Sequence, residues 1–208
     1  MIAQTKQIQI VLNAPVGPLT DARRHKVAET LGPEFVQQQA PIPNAAVFVH
    51  QASKRTVFVA DHQVNFTQDG EELEFNSAEW LSAMGGIRDA LLLDNRFAGM
   101  VQIVAHVDAE GSATEQSVHF FAPLPESDMR ERFEGLRGIG LRINYERPGY
   151  TVDIAVEPFF QNADRFFLKL NAAAQAPVQL ERLATDAEEF HSFISENTVQ
   201  FLEEMLED

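Results

Sequence analysis

The chain has 208 residues, 45% of them hydrophobic and 23% charged, with 31 Asp and Glu against 16 Lys and Arg for a net charge of −15. That is globular composition, long enough to bury a core as one domain. It contains no cysteine, which excludes disulfides, thiolate nucleophiles and Cys-based zinc or iron–sulfur sites. No basic segment leads into an apolar run at the N-terminus and no window approaches roughly 18 uninterrupted apolar residues. Neither a signal peptide nor a membrane span is expected, and the protein reads as soluble and cytoplasmic.

In chain order, Gln7 to Leu12 alternates Ile8, Ile10 and Leu12 with Gln7, Gln9 and Val11, the period-2 signature of a half-buried strand. A short helix follows from about Thr20 to Leu31, capped by Thr20 or Asp21 and stopped by Gly32-Pro33. Residues 34–44, with Pro41 and Pro43, read as an irregular connection because each proline pushes its predecessor out of the α region. Residues 46–50, 56–61 and 62–68 are strand-like. Asp69-Gly70 predicts a tight turn into a further extended segment over 71–75.

Asn76-Ser77-Ala78-Glu79 opens a helix carrying Trp80, Leu81, Met84, Ile87, Leu91 and Leu92. Its Gly85-Gly86 pair marks a kink, a close packing contact or a division into two helices. Residues 98–107 and 115–122 read as a hairpin, and a short helix spans about 128–134. Three strands come next, at 140–145, 151–157 and 165–170. Finally the box Thr185-Asp186-Ala187-Glu188 predicts one long amphipathic helix from there to about Leu206. Its apolar stripe, Leu183, Ala187, Phe190, Ile194, Phe201 and Met205, either closes the core over the sheet or forms an interaction surface. The fold class is therefore α+β: a mainly antiparallel curved sheet with a long C-terminal helix packed on one face. It forms one domain, with an option of two similar strand–helix halves, 1–95 and 96–208.

Candidate sites are few. Gly135-Leu136-Arg137-Gly138-Ile139-Gly140 follows a helix and opens a strand, the reverse of a dinucleotide-binding loop. Asp153 and Glu157 share a strand face, but four residues at roughly 3.3 Å each put them about 13 Å apart, too far for a catalytic carboxylate pair. They read as partners of Arg142, which faces Ala155 if Pro148-Gly149 is the hairpin tip. His106 and His119 would face each other across the 98–122 hairpin, and His50, Asp61 and His62 form another loose group. Neither supplies a firm third ligand, so no metal and no cofactor is expected. There is no nucleophile elbow and no phosphate loop. No residue emerges as catalytic.

Charge is unevenly placed. Residues 1–60 hold 3 acids and 6 bases, net +3, whereas residues 61–208 hold 28 acids and 10 bases, net −18. Such a field repels nucleic acid and anionic membranes and attracts a basic protein surface. The plain alternative is that acidity only maintains solubility. The basic run Arg23-Arg24-His25-Lys26 is too short to reverse the argument.

Gly140-Leu141-Arg142-Ile143-Asn144-Tyr145, together with Phe190-His191 followed by Ile194 and Phe201, resembles the closing third of a sporadically distributed family of uncharacterised bacterial proteins of this length. The resemblance implies a bacterial accessory protein and carries no catalytic residues. The sequence thus points to a non-enzymatic binding or assembly module that presents the 185–206 helix or a sheet edge to itself, as a homo-oligomer, or to a basic partner. The alternative is a helix-over-sheet cavity protein that binds or modifies an apolar small molecule. A third idea is an acidic mimic of nucleic acid, with carboxylates spaced like phosphates.

Overall fold

A computed structural model describes residues 1–40 and 42–206. Ten strands form one open antiparallel sheet, and the helices pack on one of its faces. The elements are β1 (Ala3–Asn13), α1 (Asp21–Leu31), β2 (Val36–Gln38), β3 (Ala46–His50), β4 (Arg55–Ala60), β5 (Gln63–Asp69) and α2 (Ser77–Leu91). They continue with β6 (Arg96–Asp108), α3 (Ala113–Phe121), α4 (Glu126–Arg132), β7 (Leu141–Arg147), β8 (Tyr150–Pro158) and β9 (Arg165–Ala174). The chain closes with β10 (Val178–Gln179), α5 (Leu180–Ser195) and α6 (Asn197–Leu206). Strand order is β2-β3-β4-β5-β1-β6-β9-β8-β7, with β10 added beside β6. The architecture is the α+β arrangement expected, and the two long strands β1 and β6 lie side by side at its centre.

Alternation decides the two faces. Ile8, Ile10 and Leu12 of β1, Val101, Ile103, Ala105 and Val107 of β6, and Phe166, Leu168, Leu170 and Ala172 of β9 are buried beneath the helices. Their neighbours Gln9, Gln102 and Asn171 stay partly accessible, as one-sided coverage of an antiparallel sheet requires. Burying each large aliphatic or aromatic side chain contributes about 1.5–3 kcal/mol, so this continuous layer dominates the stability.

The glycine pair in α2 marks a close helix–helix contact. A Cβ on Gly86 would meet Thr30 Cγ2 at 2.4 Å, whereas one on Gly85 would meet nothing within 4 Å, and the helix runs unbroken through both. A similar approach occurs where α5 crosses β6: a Cβ on Gly99 would lie 2.9 Å from Leu183 Cδ2.

Several expected elements are replaced. Residues 115–122 are not a strand. Ser112 Oγ accepts from Glu115 N at 3.3 Å and starts α3, which buries Ala113, Ser117 and Val118 at helical spacing. Residues 71–75 do not extend a hairpin either. A bulge at Lys6 breaks the β1–β6 register, Lys6 Nζ holds the Glu71 carbonyl at 2.6 Å, and the Leu73 amide donates to the Thr5 carbonyl at 3.0 Å. The segment is thereby led across the end of β1 toward α2. Part of the 34–44 connection forms β2, a three-residue exposed edge strand; Pro41 lies outside the described residues.

The last helix also differs. It begins at Leu180, directly out of β10, and Thr185 lies inside it with its hydroxyl donating to the Glu181 carbonyl at 3.3 Å. It breaks at Glu196, so α5 and α6 are separate helices. α5 lies over β6, β1 and β9 and beside α2, rather than over β7.

Candidate functional site

Because α5 occupies the centre of the sheet, the far edge strand β7 is only partly covered. Its burial alternates between half-buried Leu141, Ile143, Tyr145 and Arg147 and exposed Arg142, Asn144 and Glu146. The break at Glu196 redirects α6, which buries Thr198, Val199 and Leu202 and leaves Phe201 half-exposed beside the edge. An apolar groove of about 320 Å³ results, lined by Ile143, Tyr145, Ile154, Phe193, Thr198 and Phe201. Two polar atoms in its walls, the Tyr145 hydroxyl and Thr198 Oγ1, have no hydrogen-bond partner among the described residues. Burial pushes the Tyr145 phenol above its ordinary pKa, so it stays a neutral donor.

A second cleft of about 480 Å³ shares Tyr145, Phe193 and Asn197 with the first and ends at Arg147, Glu188 and Glu189. Arg147 pairs with Glu189 and lies 4.9 Å over the Phe190 ring. The combined groove is thus apolar at one end and charged at the other. It adjoins the unpaired side of β7, whose outward backbone groups are free to pair with another strand. The opposite sheet edge, β2, has only three residues.

The stripe residues separate into two groups. Phe190 and Ile194 are in the core, with Phe190 edge-on to the Tyr150 ring at 5.2 Å. Phe201 and Met205 remain half-exposed on α6. On the other sheet face Arg142 stands opposite Ala155 and grips Asp153, with Nε to Oδ1 at 2.7 Å and Nη2 to Oδ2 at 2.5 Å. That pairing holds the Asp153 carboxyl below the usual range. Glu157 makes no hydrogen bond to Arg142 and only adds to the field around it. The Arg142–Asp153 pair belongs to a row crossing the open face, Thr56, Thr67, Gln9, Gln102, Asn171, Asp153 and Asn144. The row consists of amides and hydroxyls with a single carboxylate, unlike a ladder of phosphate mimics.

His106 and His119 are not partners, because residue 119 is on a helix. His106 is in the sheet against Phe159, ring centroids 4.4 Å apart, and burial lowers its pKa. His119 stacks edge-on to Phe120. Among the described residues no three His, Asp or Glu side chains are grouped to hold a metal ion. Among the same residues, no helix is long and apolar enough to cross a membrane. His191 is half-buried, and its Nε2–H is shared between the Leu73 carbonyl at 3.2 Å and Thr5 Oγ1 at 3.0 Å, a tautomer fixed by the carbonyl.

Beneath α5, Leu183, Ala187, Phe190 and Ile194 are buried against the sheet, and a cleft of about 670 Å³ opens at its end, between His191 and Ser195 and the start of β1. Asp186, buried, accepts from the Tyr150 hydroxyl at 2.6 Å and from Arg182 Nε at 2.7 Å.

No protein-family model matches the chain, and no curated protein matches its sequence. Among solved structures it is similar to one titled Methanococcus jannaschii TBP, at 15% identity over 81% of this chain and 87% of that one, with a TM-score of 0.41. At that level the likeness assigns no activity to this chain.

Sequence reasoning missed Phe193, Asn197 and Thr198. A signal was present: Ser195, Asn197 and Thr198 are weak helix formers clustered around Glu196, and they interrupt the apolar stripe.

Proposed function

We propose that the protein is a non-enzymatic assembly module whose contact surface is the β7 edge with its groove, and that the occupant is a second copy of the same chain. The observation that carries this reading is the partly covered apolar groove at an unpaired edge strand. The charge pattern of β7 supports it. When Leu141-Arg142-Ile143-Asn144-Tyr145-Glu146-Arg147 is laid antiparallel to itself about Asn144, Arg142 falls opposite Glu146 of the partner subunit, twice by symmetry. Each such exposed pair contributes roughly 0.2–1 kcal/mol and, more importantly, fixes register. The contact is isologous, so it closes as a dimer instead of growing into a fibre. Ile143, Tyr145 and Phe201 of each subunit would cover one another, and the lone Tyr145 hydroxyl would gain an acceptor.

Analytical ultracentrifugation of the chain at low and moderate salt tests this. A monomer–dimer equilibrium is expected, strengthened by salt, because screening reduces repulsion between two chains of net charge −15 while the apolar contact persists. Glu146→Arg should dissociate the dimer, and Arg142→Glu/Glu146→Arg should restore it. A particle that remains monomeric at about 100 µM (an affinity scale near −5.5 kcal/mol) at every salt concentration sinks the proposal.

A second reading, a basic extended segment of another protein, is favoured by Glu188 and Glu189 in the adjoining cleft. Association of that kind slows as salt rises, opposite to the dimer. A bacterial, cytoplasmic setting fits either reading, since a cysteine-free chain suits a reducing compartment.

A further inference from the structure

The first half of the chain holds a different site, remote in sequence from the β7 edge and independent of it. On the helix-covered face, one row runs His50, Arg55, Gln68, Ile8, Ile103, Leu170, Ile154 and Ile143 across eight strands. Five of these positions are aliphatic. The other three, all on β3, β4 and β5, are polar, although they share the face that elsewhere forms the core. Polar groups on a core face need a reason.

They border a cleft of about 470 Å³ between the end of α1, the start of α2 and the sheet. Phe35, Phe66 and Phe75 supply aromatic wall, and Trp80, 2% exposed, supplies another. The ionic groups at the rim are satisfied among themselves. Arg55 binds Glu79 through both Nη atoms, with Nη2 to Oε2 at 2.7 Å. His50 accepts the Ser53 amide on Nδ1 at 3.1 Å and therefore donates from Nε2 to Glu34 at 2.7 Å. Two donors remain without partners among the described residues: Trp80 Nε1–H and Arg55 Nε–H, both buried atoms of residues that line the cleft. A buried N–H left unpaired is uncommon and marks a place where an acceptor is missing.

We infer that this cleft binds a small, uncharged, planar aromatic molecule carrying a carbonyl-type acceptor, which takes the hydrogen bonds offered by the Trp80 indole and the Arg55 Nε–H. The aromatic walls select the ring. The internally paired charges demand no counter-charge, so an anion gains nothing over a neutral ketone or amide and meets Glu34 and Glu79. Aromatic wall combined with a few polar groups is the ordinary make-up of a small-molecule site.

Trp80 is the only tryptophan in the chain, so a ¹⁵N-labelled sample gives one indole N–H signal and it reports directly on the cleft. Titration with acetophenone should move that signal downfield and saturate in the millimolar range. Toluene, the same ring without the acceptor, and benzoate, the same ring with a charge, should each bind at least several-fold more weakly. Ala83→Leu, which fills the cleft from α2, should abolish the acetophenone response with the rest of the spectrum unchanged. The inference is overturned by an unsaturable or absent shift with acetophenone, by equal affinity for toluene or benzoate, or by an unchanged response in a folded Ala83→Leu variant. If that variant does not fold, the comparison of the three probes on the natural chain decides.

Discussion

Replacing Tyr150 by Phe isolates a buried charge-assisted contact beneath α5. Tyr150 and Asp186 are 2% and 3% exposed, and the hydroxyl donates to Oδ2 at 2.6 Å. Deletion of the hydroxyl leaves Asp186 with Arg182 as its side-chain donor among the described residues, on the solvent side of the helix where the guanidinium is mostly accessible. A hydrogen bond to a charged group contributes about 1.5–3 kcal/mol, and the loss leaves no large void because the ring is retained. For a chain of this size each kcal/mol corresponds to roughly 2–4 °C in Tm, so Tyr150→Phe should melt about 3–12 °C lower. Urea unfolding followed by circular dichroism gives the free energy directly, with an unchanged slope expected since no surface is exposed. The pH dependence is a second check. Burial and the Asp186 hydrogen bond hold the Tyr150 phenol far above its ordinary value. The folded state therefore keeps a proton that the unfolded chain begins to lose near pH 10, and stability falls as pH rises beyond that point. Tyr150→Phe has no such proton, so its deficit should shrink above about pH 10. A loss under about 0.5 kcal/mol at neutral pH, within the range of an ordinary surface substitution, would refute the reasoning.

His191 has its pKa lowered, first by burial, so the unfolded chain binds its proton more readily; stability present above about pH 6.5 is lost as pH falls through the depressed folded value. His191→Gln should flatten the decline in denaturant midpoint between pH 7 and 5, and an identical slope would assign the decline elsewhere, His106 being next in line. Thr185→Ala should change stability by less than about 0.5 kcal/mol, because the hydroxyl caps nothing; a loss near 1 kcal/mol would put the helix start at Thr185 after all. Gly85→Ala should stabilise by about 0.5–1 kcal/mol, whereas Gly86→Ala should gain less or lose, since Thr30 must move aside. Equal gains at both positions would show that α1 and α2 do not touch there.

Much of the fold was legible because its signals are local. Period-2 alternation in residues 7–12, 46–50, 56–68, 140–145, 151–157 and 165–170 marks strands whose one face is dry, and Thr20 and Asn76 cap their helices through backbone amides three residues on. The capping box also shows where local reading fails. Ser112-Ala113-Thr114-Glu115 starts a helix, with the Ser112 hydroxyl accepting from Glu115 N, while the similar Thr185-Asp186-Ala187-Glu188 lies within one. The two differ in what precedes them: β10 pairs with Phe97 and Arg96 of β6 and delivers the chain into α5 at Leu180, a contact across some 80 residues that no local pattern contains. The bulge at Lys6, which diverts residues 71–75 from the sheet, is likewise a long-range event.

The candidate groove depended on such events entirely. Leu141, Ile143 and Tyr145 announce a half-buried strand, and Phe201 announces an apolar helix face. That β7 is the terminal strand, that α5 lies over β1, β6 and β9, and that the helix breaks at Glu196 to bring Phe201 beside Ile143 are properties of the packed chain. The same holds for the Trp80 cleft: the sequence grouped His50 with Asp61 and His62 and left Arg55 just outside a strand, whereas the register sets both in one row with Ile8 and Ile103. Sequence by itself determined which residues prefer burial, where most strands and helices lie, and the sign of the field around them. Tertiary structure alone decided which buried faces are completely covered, because coverage depends on where one element's layer ends and the next begins, and that is set by contacts between residues far apart in the chain.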